Sequence, residues 1–339
     1  MRNVEPTAAD VADAYLRLRD WVVETPVLES DRLNGRVGAR VMLKAECLQH
    51  GGSFKIRGAL NRILQLSHAE RSAGVVAFSS GNHGQAVALA AQWLGIRATI
   101  VMPADAPQTK IEGTRARGAE IVLYDRERED REAIAAKLAA ERGAALVPPF
   151  DHPDVIAGQG TAALELAGAV RGRRCELEAL YVPCGGGGLV AGCALAVKSV
   201  FGGCAVYAVE PAGYADTAES LAAGERRMLA AQPATLCDAL RVPTPGAITF
   251  AINRRELAGA VAVDDAAVRE AVALAAEHLK VVVEPSGAVA LAALLAAKPS
   301  HRGPVGVVLS GGNADPRLWA SLLAEHRSDG AAARPVQRG

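Results

Sequence analysis

The sequence carries no excess of either charge: Lys plus Arg and Asp plus Glu stand at 37 each among 339 residues. No global field therefore draws the chain to nucleic acid or to an anionic membrane, and the expected partner is a small molecule. Long apolar runs are missing too. The longest, Gly287 to Ala297, is too short to cross a bilayer, and the opening MRNVEPTAAD is acidic without an apolar secretory segment. The expectation is a soluble, cytoplasmic protein with no membrane partner. The six cysteines, at 47, 175, 184, 193, 204 and 237, form no CxxC pair and no zinc-type spacing with histidine. They read as reduced, small core residues. The absence of G-x-G-x-x-G argues against a nicotinamide dehydrogenase.

What is present is alternation. Half the residues are hydrophobic, and the length exceeds one ordinary core, so two domains are expected. Short β-branched runs, at 41–46, 75–80, 98–102, 120–124, 181–185, 206–210 and 305–312, read as strands. Alanine-rich segments, at 85–94, 108–117, 126–142, 160–170, 189–200 and 266–279, read as helices. Apolar strands separated by helices predict an α/β fold of parallel twisted sheets covered by helices on both faces. Residues 74–146 hold their own repeats and are expected to form a small domain, inserted into a discontinuous large domain of residues 1–73 and 147–325. Residues 326–339 lack apolar periodicity and are expected to be a disordered tail.

Ligands of open parallel sheets bind beyond the carboxyl ends of strands. Three such ends carry polar or glycine-rich loops: SSGNHG (79–84), CGGGGL (184–189) and SGGN (310–313). Gly185, Gly186, Gly187 and Gly188 precede a helix-like run, so backbone N–H groups and the helix start can converge on a single phosphate. Lys55, in LQHGGSFKIRGALNR, opens a helix. The helix dipole, together with nearby Arg57, is expected to disfavour its ammonium form. Lys44 and Lys298, by contrast, read as solvated surface charges. A lysine that gives up its proton easily can form a Schiff base with an aldehyde, and an aldehyde cofactor bearing one phosphate is pyridoxal 5'-phosphate.

SFKIRGA, SSGNHGQA, the tetraglycine, DVIAGQGT (154–161), VEPSGAVALAALL (283–295) and LSGGN occur in series from about Glu24 to Asn313. Together they resemble the fold type II (tryptophan synthase β-like) pyridoxal-phosphate enzymes, in the serine/threonine dehydratase and serine racemase branch. The resemblance implies that Lys55 holds the cofactor and acts as base at the substrate Cα. It implies that Phe54 packs on the pyridine ring, Asn82 bonds the phenolic oxygen, and Gly185 to Gly188 hold the phosphate. Ser310 would meet the ring nitrogen, and Ser79, Ser80, Gly81, Asn82 and His83 would receive the substrate carboxylate. Asn82 and His83 also read as caps of a helix starting near Gln85.

The implied reaction is α,β-elimination from serine or threonine, giving a 2-oxo acid and ammonia. 3-Hydroxyaspartate elimination and serine or amino-acid racemisation remain alternatives, because in this family a serine at position 80 is associated with acid/base work on the face opposite the lysine. A catalytically silent phosphate-binding regulatory module is the reading from a different class. Arg131 aligns with an arginine near the substrate entrance and would welcome a second carboxylate; as sequence it also reads as a solvated helix charge. Glu210, the Tyr214 carbonyl and Asp216 match a divalent-cation site for Mg²⁺ or Ca²⁺. A homodimer is implied, and no isoleucine feedback is expected.

Overall fold

A computed structural model describes residues 4–79, 81–106, 108–297 and 301–332. Ten strands form two sheets: β1 (Val27–Leu28), β2 (Val41–Ala45), β3 (Val75–Phe78), β4 (Ala98–Pro103), β5 (Glu120–Tyr124), β6 (Ala145–Leu146), β7 (Ala179–Pro183), β8 (Ala205–Pro211), β9 (Gly259–Val263) and β10 (Val305–Leu309). The larger sheet runs β1-β2-β10-β7-β8-β9 and the smaller β5-β4-β3-β6. Every pairing is parallel except β1 with β2. All four strands of the smaller sheet fall between Val75 and Leu146.

The burial strings explain the pattern. β2, β7 and β10 are buried at every position, as strands covered on both faces must be. One face packs on helices Pro153–Gly172 and Gly188–Val200, the other on Asp265–Leu274 and Pro285–Ala297. The helix Lys55–Leu64 turns Ile56, Ala59, Leu60 and Ile63 toward helix Asn82–Leu94 and the small sheet, while also packing on helix Pro153–Gly172. The helix that opens with Lys55 is thus wedged between the two sheets. All six cysteines are free and five are buried, as expected of small core residues.

Several boundaries differ from the sequence reading. The helix expected from Gly160 begins at Pro153, where His152 Nδ1 accepts from the Asp154 N–H at 3.1 Å and proline fits the first helical turn. The helix expected near Gln85 begins at Asn82, with Gly81 as its cap and no side-chain capping bond, so Asn82 and His83 are helical residues rather than caps. β9 was missed, because GAVAV is mostly half-buried and lacks a β-branched run. The segment expected to be a tail from residue 326 continues the helix Pro316–Ala332. Leu322 and Trp319 anchor that helix on the core, and extension past an anchored turn costs little; residues 333–339 lie outside the described residues. Lys44 is fully buried rather than solvated. Lys298 lies outside the described residues.

Candidate active site

β7 ends at Pro183, and the chain passes through Cys184 and four glycines into the helix Gly188–Val200. Gly187 has φ of 90°, a left-handed value that side chains resist. A Cβ on Gly186 would stand 2.5 Å from the Phe150 ring. The loop is pinned where it is by Thr249 Oγ1, which donates to the Gly186 carbonyl at 2.7 Å. No side chain caps the following helix start. Its first N–H groups remain available, and an anion is their natural partner.

Lys55 lines the same pocket as this loop and is the first residue of its helix. Phe54 N–H donates to the Ser310 carbonyl at 3.1 Å, and Ser53 bridges to Gly311, so the end of β10 fixes the turn that presents the lysine. Lys55 Nζ donates to the Pro149 carbonyl at 2.7 Å. Burial pushes its ammonium down to about 8. The lowered value was expected from the helix dipole together with Arg57; its cause is burial, and Arg57 does not line the pocket.

Arg57 instead completes a buried charge cluster. It holds Glu46 through Nε at 2.7 Å and Nη2 at 2.8 Å, and Glu165 through Nη1 at 2.6 Å and Nη2 at 2.8 Å. Lys44 Nζ donates to Glu165 at 2.5 Å and to the Thr25 carbonyl at 2.6 Å. Two cations thus face two carboxylates, all essentially out of water. The cluster joins β2, the Lys55 helix and helix Pro153–Gly172.

Asn82 Nδ2 donates to Glu284 Oε1 at 2.6 Å, while its Oδ1 accepts from Asn313 Nδ2 at 2.9 Å. These two bonds fix the amide orientation and leave one N–H to spare. Glu284 and Asn313 were quoted within motifs and assigned no role; their bearing on Asn82 depends on contacts across more than 200 residues that no local pattern reveals. Ser310, Phe54, Ser79, Gly81, Asn82, His83 and Arg131 all line the pocket with Lys55 and the four glycines. Ser80 lies outside the described residues. His83 Nε2 stands 2.8 Å from the Val147 carbonyl, so that nitrogen carries the proton, and Nδ1 is a buried acceptor with no partner among the described residues. Burial, then the Lys55 charge, push His83 down to about 3. It contributes a neutral hydrogen-bonding group, not a cation for a carboxylate. Arg131, read as sequence in two ways, faces the pocket with its guanidinium 5.6 Å from the Phe78 ring centroid.

Comparison with known proteins identifies the class. The model of the family described as "Pyridoxal-phosphate dependent enzyme" matches residues 18–311. The L-threo-3-hydroxyaspartate ammonia-lyase of Saccharomyces cerevisiae is 46% identical over 95% of this chain and 97% of its own. The serine racemase of Schizosaccharomyces pombe is 41% identical over 95% and 98%. Among solved structures, a threonine deaminase from T.th. superposes with a TM-score of 0.86 at 44% identity, covering 91% of this chain and 99% of its own. The chain belongs to the pyridoxal-phosphate-dependent enzymes of fold type II. The site fits that cofactor: a glycine cradle at an uncapped helix start suits its phosphate, and a lysine of lowered pKa faces it.

Proposed function

We propose that this protein is a pyridoxal-phosphate-dependent ammonia-lyase converting a β-hydroxy amino acid to a 2-oxo acid and ammonia. The observation that carries the reading is Lys55, desolvated and held 2.7 Å from the Pro149 carbonyl, facing the phosphate cradle. When bound, the cofactor supplies the electron sink that lets a Cα proton leave. The backbone N–H groups of Gly185 to Gly188 hold its phosphate. Phe54 would pack against its ring, the spare Asn82 N–H would be the donor to its phenolic oxygen, and the Ser310 hydroxyl would meet its ring nitrogen. A hydroxyl does not hold that nitrogen protonated as a carboxylate would, which suits prompt loss of a β-substituent. Lys55 Nζ takes the Cα proton, and the substrate carboxylate rests against the loop of Ser79, Ser80, Gly81, Asn82 and His83. The β-hydroxyl would leave as water with the proton that Lys55 took from Cα, and the released enamino acid would tautomerise to the imino acid, which water hydrolyses to the oxo acid and ammonia. Residues 74–146 act as the lobe that carries this loop against residues 1–73 and 147–325, and the distribution of the strands between the two sheets supports the division. The protein works as a cytoplasmic homodimer, a reading supported by the family resemblance and by six free thiols, which suit a reducing compartment. The test is formation of oxo acid and ammonia in equal amounts from serine, threonine or 3-hydroxyaspartate. Interconversion of enantiomers without oxo acid would favour a racemase using Ser80.

We also propose that Glu210, Asp216 and the Tyr214 carbonyl bind Mg²⁺ or Ca²⁺. Both carboxylates are fully buried. Glu210 accepts from the N–H groups of Thr217 at 2.9 Å and Ala218 at 3.0 Å, whereas both Asp216 oxygens lack a partner among the described residues. Burial raises both groups above the usual carboxylate range, and the Glu210 charge raises Asp216 further. Folding stability from such groups is full below their unfolded values and is lost as pH rises through the elevated folded ones. The metal-free protein should therefore lose stability as pH climbs from the acidic range toward neutrality and above. Saturating Mg²⁺ or Ca²⁺ should raise Tm by on the order of 5 °C, and more at the higher pH. Thermal scans with cation or chelator check this, and an unchanged Tm on cation addition contradicts it. Asp216→Asn should remove the response.

A further inference from the structure

Two arginines, one from each of the two stretches of chain that meet at the pocket, share an arrangement. Arg131 begins the helix Arg131–Arg142, and Arg241 lies in the loop that follows Asp238–Leu240; both line the pocket that contains Lys55. Each rests its guanidinium on an aromatic ring, Arg131 at 5.6 Å from the Phe78 centroid and Arg241 at 5.8 Å from that of Tyr214. Neither has a carboxylate partner among the described residues, although Asp238 and Glu284 line the same pocket. An exposed arginine is ordinarily held by solvent alone, but Arg241 is aimed. Its Nε donates to the Tyr214 hydroxyl at 2.9 Å, and Tyr214 is fully buried. That bond uses one donor and leaves the Nη1 and Nη2 edge open, the edge that receives a carboxylate through parallel hydrogen bonds.

We infer that Arg241, aimed by Tyr214, is a specificity-determining residue that joins Arg131 in receiving a second carboxylate on the substrate, so that the pocket prefers dicarboxylic to neutral amino acids. This deepens the proposed function and rests on its reading of the pocket as an amino-acid site. An anion that meets both guanidiniums supplies the direct carboxylate contact that neither has among the described residues. A neutral side chain such as that of serine leaves both cations unpaired beside it. Tyr214 would therefore have two parts: its carbonyl belongs to the proposed cation site, and its hydroxyl accepts from Arg241 Nε.

The experiment compares binding of L-aspartate and L-alanine to the cofactor-loaded protein, read from the cofactor absorption band. Neither ligand has a hydroxyl to eliminate. Wild-type protein should bind aspartate more tightly than alanine. Arg241→Met should weaken aspartate by about 10- to 100-fold and alanine far less. Arg241→Lys, which keeps the charge and loses the fork, should fall between. Tyr214→Phe keeps the ring and should weaken aspartate by about 3- to 10-fold at unchanged Tm. Equal weakening of both ligands in Arg241→Met, or weakening of neither, overturns the inference. The two readings fail separately: discrimination that depends on Arg241 without oxo acid from any hydroxy amino acid removes the lyase and keeps this inference. Oxo acid from serine with no Arg241-dependent preference for aspartate does the reverse.

Discussion

Replacing Lys55 with alanine should lower turnover by at least about 10³-fold with every substrate, because the proposed function makes one side chain both cofactor anchor and base at Cα. The cofactor's visible band should disappear with it, since no other described lysine lines the pocket. Phosphate affinity of the cradle should survive, because the glycine loop is pinned through Thr249 rather than through Lys55. Added methylamine should restore the band without restoring full turnover, separating loss of the amine from collapse of the site. Absorption spectra and initial rates, taken on protein whose Tm matches wild type, check the expectation. Turnover within tenfold of wild type would remove Lys55 from the chemistry.

The second large effect belongs to Arg57, outside the pocket. Arg57→Met should destabilise the protein by about 3–5 kcal/mol, because Glu46 and Glu165 stay buried with Lys44 as their one remaining cation among the described residues. Burial alone disfavours the Arg57 charge, but the Glu46 and Glu165 carboxylates outweigh it and hold the guanidinium charged. Arg57 sits two residues after Lys55, so loosening this cluster should also loosen the helix start that aims the lysine. Urea unfolding and cofactor titration should move together: a lower midpoint, with a weaker cofactor affinity. A midpoint shift worth less than about 1 kcal/mol would show that the cluster is compensated by water or by rearrangement.

Much of this site was legible in local sequence. Continuous apolar runs located β2, β7 and β10 because those strands are buried on both faces, and the tetraglycine marked a backbone that side chains would obstruct. Asn82 and Ser310 stood in motifs at strand ends, where an α/β fold gathers its ligands, and Lys55 stood at a helix start. The rest depended on partners distant in sequence. Arg57 seemed to act on Lys55 because they are neighbours in the chain, yet its real partners come from positions 46 and 165. Lys44 reads as surface until Glu165 is placed beside it. The start of helix Pro153–Gly172 was obscured by Gly158 and Gly160, which resemble breakers. Their hydrogens let neighbouring chains approach, and a Cβ on either would stand 2.5 Å from a carbonyl oxygen, of Arg57 and Gly192 respectively. The direction of Arg241 was not legible locally; it is set by Tyr214, 27 residues away.

The most direct test of the central claim is product analysis of the cofactor-loaded protein with single β-hydroxy amino acids. L-serine, L-threonine and the 3-hydroxyaspartate isomers would each be supplied alone, with chiral analysis of what remains. The account predicts 2-oxo acid and ammonia in equal amounts from at least one of them, lost in Lys55→Ala. Intact cofactor loading at Lys55 with no oxo acid from any of them would contradict it.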